Sequence, residues 1–99
     1  MMKVLIGVDP HEATNAMAAV DGGGKLIELA TFPTNRSGLR SLERWGKRFE
    51  KPRWAVEGAG GLGLPVAQHL VGAGERVVNR PPKALGPRQA ALSGQRLQE

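Results

Sequence analysis

Cysteine is absent from the chain, so neither a disulfide framework nor a thiolate zinc site can form. Tyrosine is absent too, and two Trp and two Phe are the whole aromatic complement. A core with so few rings must draw its packing from Val, Leu, Ile and Ala. A chain of this size buries only roughly 60 to 65% of its unfolded surface, which allows one domain with one modest core. No apolar run approaches the roughly 18 residues of a membrane span, and the first residues lack the cleavage-site pattern of a secretory signal. The expected location is the cytoplasm, with no membrane partner. Acidic residues are also scarce: nine Asp and Glu stand against fourteen Lys and Arg, a formal net charge of +5. Such a surplus on a short chain suggests an anionic partner such as nucleic acid, and a merely solubilising surface explains it equally well.

What is present is organised around Val4-Leu5-Ile6-Gly7-Val8-Asp9-Pro10-His11, an apolar run that ends abruptly in a carboxylate. A run without strict alternation reads as a strand buried on both faces. Arg53-Trp54-Ala55-Val56-Glu57-Gly58 repeats the design, apolar and then an acid followed by glycine. If the two strands lie side by side and parallel, Asp9 and Glu57 emerge at the same sheet edge, where open α/β sheets place their ligands.

Taken in order, residues 3–9 and 15–21 are expected as strands joined by a short turn. Asp21-Gly22-Gly23-Gly24-Lys25 is a hairpin turn, and residues 26–32 form a third strand stopped by Pro33. Asn35 or Ser37 can cap a helix over about 38–50, whose apolar stripe is Leu39, Leu42, Trp45, Gly46 and Phe49. Its remaining surface is basic, through Arg40, Arg44, Lys47 and Arg48. The strand carrying Glu57 follows, then a helix from Leu64 to Gly72 or Gly74, and a strand over 75–79. Pro81 and Pro82 open a last helix over about 83–93, and residues 95–99 form a tail without an apolar pattern. The order β-β-β-α-β-α-β-α is that of a ribonuclease-H-like α/β mixed sheet, because the two first connections are too short for helical crossovers.

Acids on neighbouring strands of such a sheet suit Mg²⁺ or Mn²⁺, which take oxygen ligands. Asp9 and Glu57 are half of the set that a two-metal site needs. His11 and Glu12 stand close enough in sequence to add a contact. His69 reads as a helix-surface or core-edge residue without a role. Gly58-Ala59-Gly60-Gly61-Leu62-Gly63 matches G-x-G-x-x-G between a strand and a helix, so an NAD(P)-binding domain, with Arg80 near a 2′-phosphate, is an alternative. Against it, Glu57 would face the pyrophosphate, and an antiparallel hairpin precedes the motif. The 21–25 stretch resembles a phosphate loop only superficially, since Leu26 stands where Ser or Thr is required.

Ile6-Gly7-Val8-Asp9-Pro10-His11, Ala19-Val20-Asp21, Phe32-Pro33, Trp54-Ala55-Val56-Glu57-Gly58, Ala73-Gly74-Glu75 and Pro81-Pro82-Lys83 follow one another in an order and spacing that resemble a known family. It is the amino-terminal, RuvC-like domain of the bacterial DEDD insertion-sequence transposases, relatives of the pilin-gene invertases. The resemblance covers about residues 3–94 and sets the expected domain at 1–94. It implies Mg²⁺-dependent DNA cleavage and joining, guided by a structured RNA, with self-association open to the chain. Asp9 matches the family's first metal-binding aspartate and Glu57 its glutamate. The expected nucleic-acid contacts are His11, Arg40, Arg44, Lys47, Arg48, Arg80, Lys83 and Arg88. The family's last two acids form an Asp-x-x-Asp pair beyond the last helix, and no such pair occurs here up to Glu99. Glu12 also replaces a commonly basic residue. The chain is therefore expected to be a shortened family member, with a weakly held ion and no activity alone. The competing expectation is a basic nucleic-acid-binding module without catalysis.

Overall fold

The computed structural model describes residues 3–80. The last expected helix, with Lys83 and Arg88, and the expected tail lie outside the described residues. β1 (Leu5–Pro10) and β2 (Thr14–Val20) pair antiparallel, and the His11 amide donates to the Thr14 carbonyl at 2.7 Å to close the hairpin. β3 (Leu26–Pro33) returns antiparallel to β2. In the turn between them the Asp21 carboxylate accepts from the amides of Gly23 and Lys25, both at 2.9 Å, while Gly24 takes a φ of 86°. Donors that a phosphate would need are turned onto Asp21, so this stretch is a hairpin turn and no phosphate loop.

α1 (Arg36–Gly46) starts where Asn35 accepts from the Gly38 amide at 2.7 Å, so Asn35 and not Ser37 is the cap. The helix ends four residues before the expected limit at residue 50. The chain continues in tight turns, with the Arg48 amide donating to the Trp45 carbonyl at 3.3 Å and Phe49 to Gly46 at 3.0 Å. Phe49 therefore stays on the apolar stripe, its ring 5.3 Å from that of Trp45, and spacing alone could not tell this turn from more helix. Lys51, with φ of 46°, redirects the chain into β4 (Arg53–Glu57). α2 (Leu64–Gly72) and β5 (Arg76–Arg80) complete the described elements. The sheet order is β3-β2-β1-β4-β5, with β4 parallel to β1 and β5 parallel to β4. The expected succession and mixed sheet are thus present through β5.

The core takes one side of this sheet. Ile6, Val8, Met17, Trp54 and Val56 pack with Leu42 and Trp45 of α1 and with Val66 and Leu70 of α2. Fully buried Trp54 is the central pillar, its indole N–H donating to Glu75 Oε1 at 3.0 Å. Gly46 lets α1 approach it, since a Cβ there would overlap the six-membered ring of the indole. The expectation that the first strand is buried on both faces fails among the described residues. Side chains alternate along a strand, and in β1 Ile6 and Val8 are buried while Leu5 is exposed and Gly7 and Asp9 are half-buried. Both described helices share one face. The other carries small residues in its middle, Gly7, Ala16, Ala18 and Ala55, and exposed Leu29 and Val78 at its flanks.

Candidate functional site

The last matched pair of the parallel β1–β4 ladder is Val8 with Val56. The next residue of each strand is an acid, so Asp9 and Glu57 leave the core at the same edge of the sheet. They also share a face, because both follow a core-facing valine and side chains alternate. That face is the one away from α1 and α2. Across the same row stand Ala16 opposite Asp9 and Arg80 opposite Glu57.

Local structure fixes how each strand ends. His11 Nδ1 lies 3.0 Å from the Asp9 carbonyl, and Nε2 lies 4.0 Å from Asp9 Oδ2. With Nδ1–H donating to the carbonyl, Nε2 is turned toward the Asp9 carboxylate, and the two side chains remain 59% and 40% exposed. Beyond Glu57 the chain turns at Gly58, whose φ is 59° and whose amide continues the ladder to the Arg80 carbonyl at 2.8 Å. The glycine loop then closes on itself. The Gly58 carbonyl accepts from Gly61 and Gly63 at 2.8 and 2.9 Å, and Asn79 Oδ1 accepts from Ala59 at 2.8 Å. A Cβ on Gly63 would come within 2.6 Å of the Glu57 carbonyl. These glycines serve a tight strand-to-helix junction beside the acid, and three amides that a dinucleotide-binding loop would offer to a pyrophosphate are already engaged. That is the physical case against the NAD(P) alternative.

The sequence-predicted contacts separate into groups. His11 and Arg80 stand at the strand ends with the two acids, whereas Arg40 and Arg44 lie on α1 and Lys47 at its C-cap, across the sheet. Arg48 is committed elsewhere: it forms an ion pair with Glu28 and stacks over Trp45 and Phe49 at 5.6 and 5.2 Å. The Trp45 indole N–H, donating at 3.1 Å, and then Arg48 hold the Glu28 carboxyl below its usual range. Glu12 does not complete a ligand set, since no group of three or more His, Asp or Glu that could hold a metal occurs among the described residues. The sequence reading missed His69. It lies 2.8 Å from Glu43 Oε1 and, with Lys47 at 3.2 Å from Oε2, ties α2 to α1. The His69 hydrogen bond is the first cause of a lowered Glu43 pKa, and Lys47 adds to it. No local signal marks a partnership between residues on different helices.

A five-stranded mixed sheet with a central first strand, three antiparallel strands followed by parallel α-β units, and carboxylates at one strand edge defines the ribonuclease-H-like, RuvC-like class. The sequence pattern of one transposase family within it, the DEDD transposases of the IS110 type, matches residues 6–96. The chain belongs to that family. No curated protein matches it.

Proposed function

We propose that this chain supplies the first half of the metal-holding centre of a DEDD transposase, acting on DNA, and that it does not cut DNA alone. The observation that carries the reading is the exit of Asp9 and Glu57 from adjacent parallel strands on one face. In this reading the RuvC-like unit extends to about residue 94, and a structured RNA is a partner in the assembled enzyme.

Two half-exposed carboxylates at one sheet edge fit Mg²⁺ or Mn²⁺, because Mg²⁺ usually keeps several waters and takes one or two protein carboxylates together with phosphate oxygens. When bound, such an ion would polarise a phosphoryl oxygen and lower the pKa of a bound water. The chain's own groups do the rest. Asp9 and Glu57 are the ligands, His11 braces the Asp9 turn through the carbonyl, and Arg80, across from Glu57 in the ladder, meets a phosphate that approaches the pair. The family's acid set is larger: Asp9 and Asp21 are the two aspartates of the sequence, and Asp21 is occupied in its hairpin turn.

The purified chain, incubated with supercoiled plasmid and millimolar Mg²⁺ or Mn²⁺, is expected to leave the plasmid intact. Metal-dependent nicking that disappears in Asp9→Asn would show that two acids suffice and would overturn the half-site reading.

A further inference from the structure

α1 carries a feature that the acid pair does not use. Arg36, Arg40 and Arg44 recur at every fourth residue, and Lys47 follows three residues later. At 100° and 1.5 Å per residue, these four cations fall within one stripe along the helix, with about 6 Å of axial rise between successive arginines. The stripe lies opposite the side that buries Leu42 and Trp45 in the core, and all four residues are exposed. Among the described residues the side chains of Arg36, Arg40 and Arg44 have no hydrogen-bond or ion-pair partner. The nearest acid on the helix, Glu43, has one oxygen on His69 and the other on Lys47. A surface depression of about 230 Å³ opens between Arg40, Glu43, Arg44 and Lys47.

The position of this ridge matters as much as its charge. α1 packs on the core face of the sheet, whereas Asp9 and Glu57 point from the other face. A nucleic-acid strand lying against the acids therefore has the sheet and the α1 layer between itself and the ridge. We propose that the outer face of α1 is a second, metal-independent surface for a phosphodiester backbone, gripped by Arg36, Arg40 and Arg44, so that the domain holds nucleic acid on both sides of its sheet. The spacing of the arginines is comparable to that of successive phosphates along one strand, and guanidinium groups bind phosphate in a forked, bidentate geometry. Contacts of this type read charge and not sequence. The proposal rests on the nucleic-acid role of the chain but not on the metal role of the acid pair.

The test is binding of the full chain to fluorescent mixed-sequence RNA, single-stranded DNA and duplex DNA, measured by anisotropy in EDTA over a range of salt. The chain binds, and the logarithmic salt slope becomes about two units shallower in Arg40→Gln/Arg44→Gln, with affinity at least ~10-fold weaker at low salt. Arg53→Gln/Arg76→Gln removes the same charge from exposed positions on the opposite face and leaves the slope near that of the parent chain. Asp9→Asn/Glu57→Gln also retains binding in EDTA, which keeps this proposal separate from the metal site. The ranking of the three probes identifies the kind of strand held. Equal losses in the two arginine pairs would reduce the effect to net charge. Loss of EDTA binding in the acid variant, or no binding by the parent at low salt, would equally overturn the proposal. Circular dichroism on each variant confirms that these exposed substitutions leave the fold intact.

Discussion

Gly46 occupies a place where helix propensity argues for alanine. At the end of α1, Gly46→Ala would be worth up to about 1 kcal/mol from backbone entropy alone. The packing opposes it: the new methyl would overlap Trp54 Cζ2 and Cη2 and approach Ile6 Cδ1 within 3.3 Å. Neither neighbour has room to yield, since both are fully buried and the indole is tied to Glu75 at 3.0 Å. Overpacking a tight core costs typically 1–3 kcal/mol, and overlap with a fixed ring belongs at the upper end of that range. The expected net effect is a loss of about 1–2 kcal/mol. Urea unfolding followed by far-ultraviolet circular dichroism reads this as a midpoint lowered by roughly 0.5–1 M. Trp54→Phe removes the overlapping ring carbons, so the double variant should be less destabilised than the sum of the singles by about 1 kcal/mol or more. A more stable Gly46→Ala protein, or strict additivity in the pair, would refute the argument that Trp54 fixes the approach of α1 to the sheet.

Asn35→Ala should cost about 1 kcal/mol, because the Gly38 amide loses its capping oxygen; an unchanged urea midpoint would contradict the assigned helix start. Hydrogen bonds and ion pairs hold the Glu28 and Glu43 carboxyls below the usual glutamate range in the folded protein, so the folded state binds fewer protons than the unfolded state in that region. Their stabilisation is complete above pH ~4.5 and is lost as the pH falls through the depressed folded values. Glu43→Gln should therefore lower the urea midpoint near neutral pH and make its fall below about pH 4.5 shallower; a parallel shift at every pH would separate Glu43 from the acid limb.

The strand succession was legible because glycine and proline punctuate this chain and because the apolar runs at 4–8 and 54–56 each stop at an acid. The juxtaposition of Asp9 and Glu57 followed from the same repeat, once the short connections forced an antiparallel start and left the two runs to pair in parallel. What escaped the sequence was long-range. Gly7 and Leu5 made the first strand look two-sidedly buried, although α1 and α2 leave that face uncovered, since periodicity cannot say on which side a helix will pack. The end of α1 escaped because Phe49 keeps the helical spacing in a tight turn. Arg48 read as an available cation, yet Glu28 on β3, twenty residues away in sequence, holds it. His69 and Glu43 meet across two helices, and neither has a neighbour in sequence that hints at the other. Arg36 lies ahead of the helix expected over about 38–50, and its place in the stripe emerges once Asn35 fixes the first turn.

The central claim is that Asp9 and Glu57 form one divalent-ion site at the sheet edge, and paramagnetic broadening tests it most directly. Trace Mn²⁺ added to the isotopically labelled full chain should first broaden the amides of Asp9, Pro10-flanking His11, Glu57 and Gly58, with excess Mg²⁺ reversing the effect. Asp9→Asn and Glu57→Gln should each abolish it. Broadening centred elsewhere, or persisting unchanged in both variants, would contradict the account.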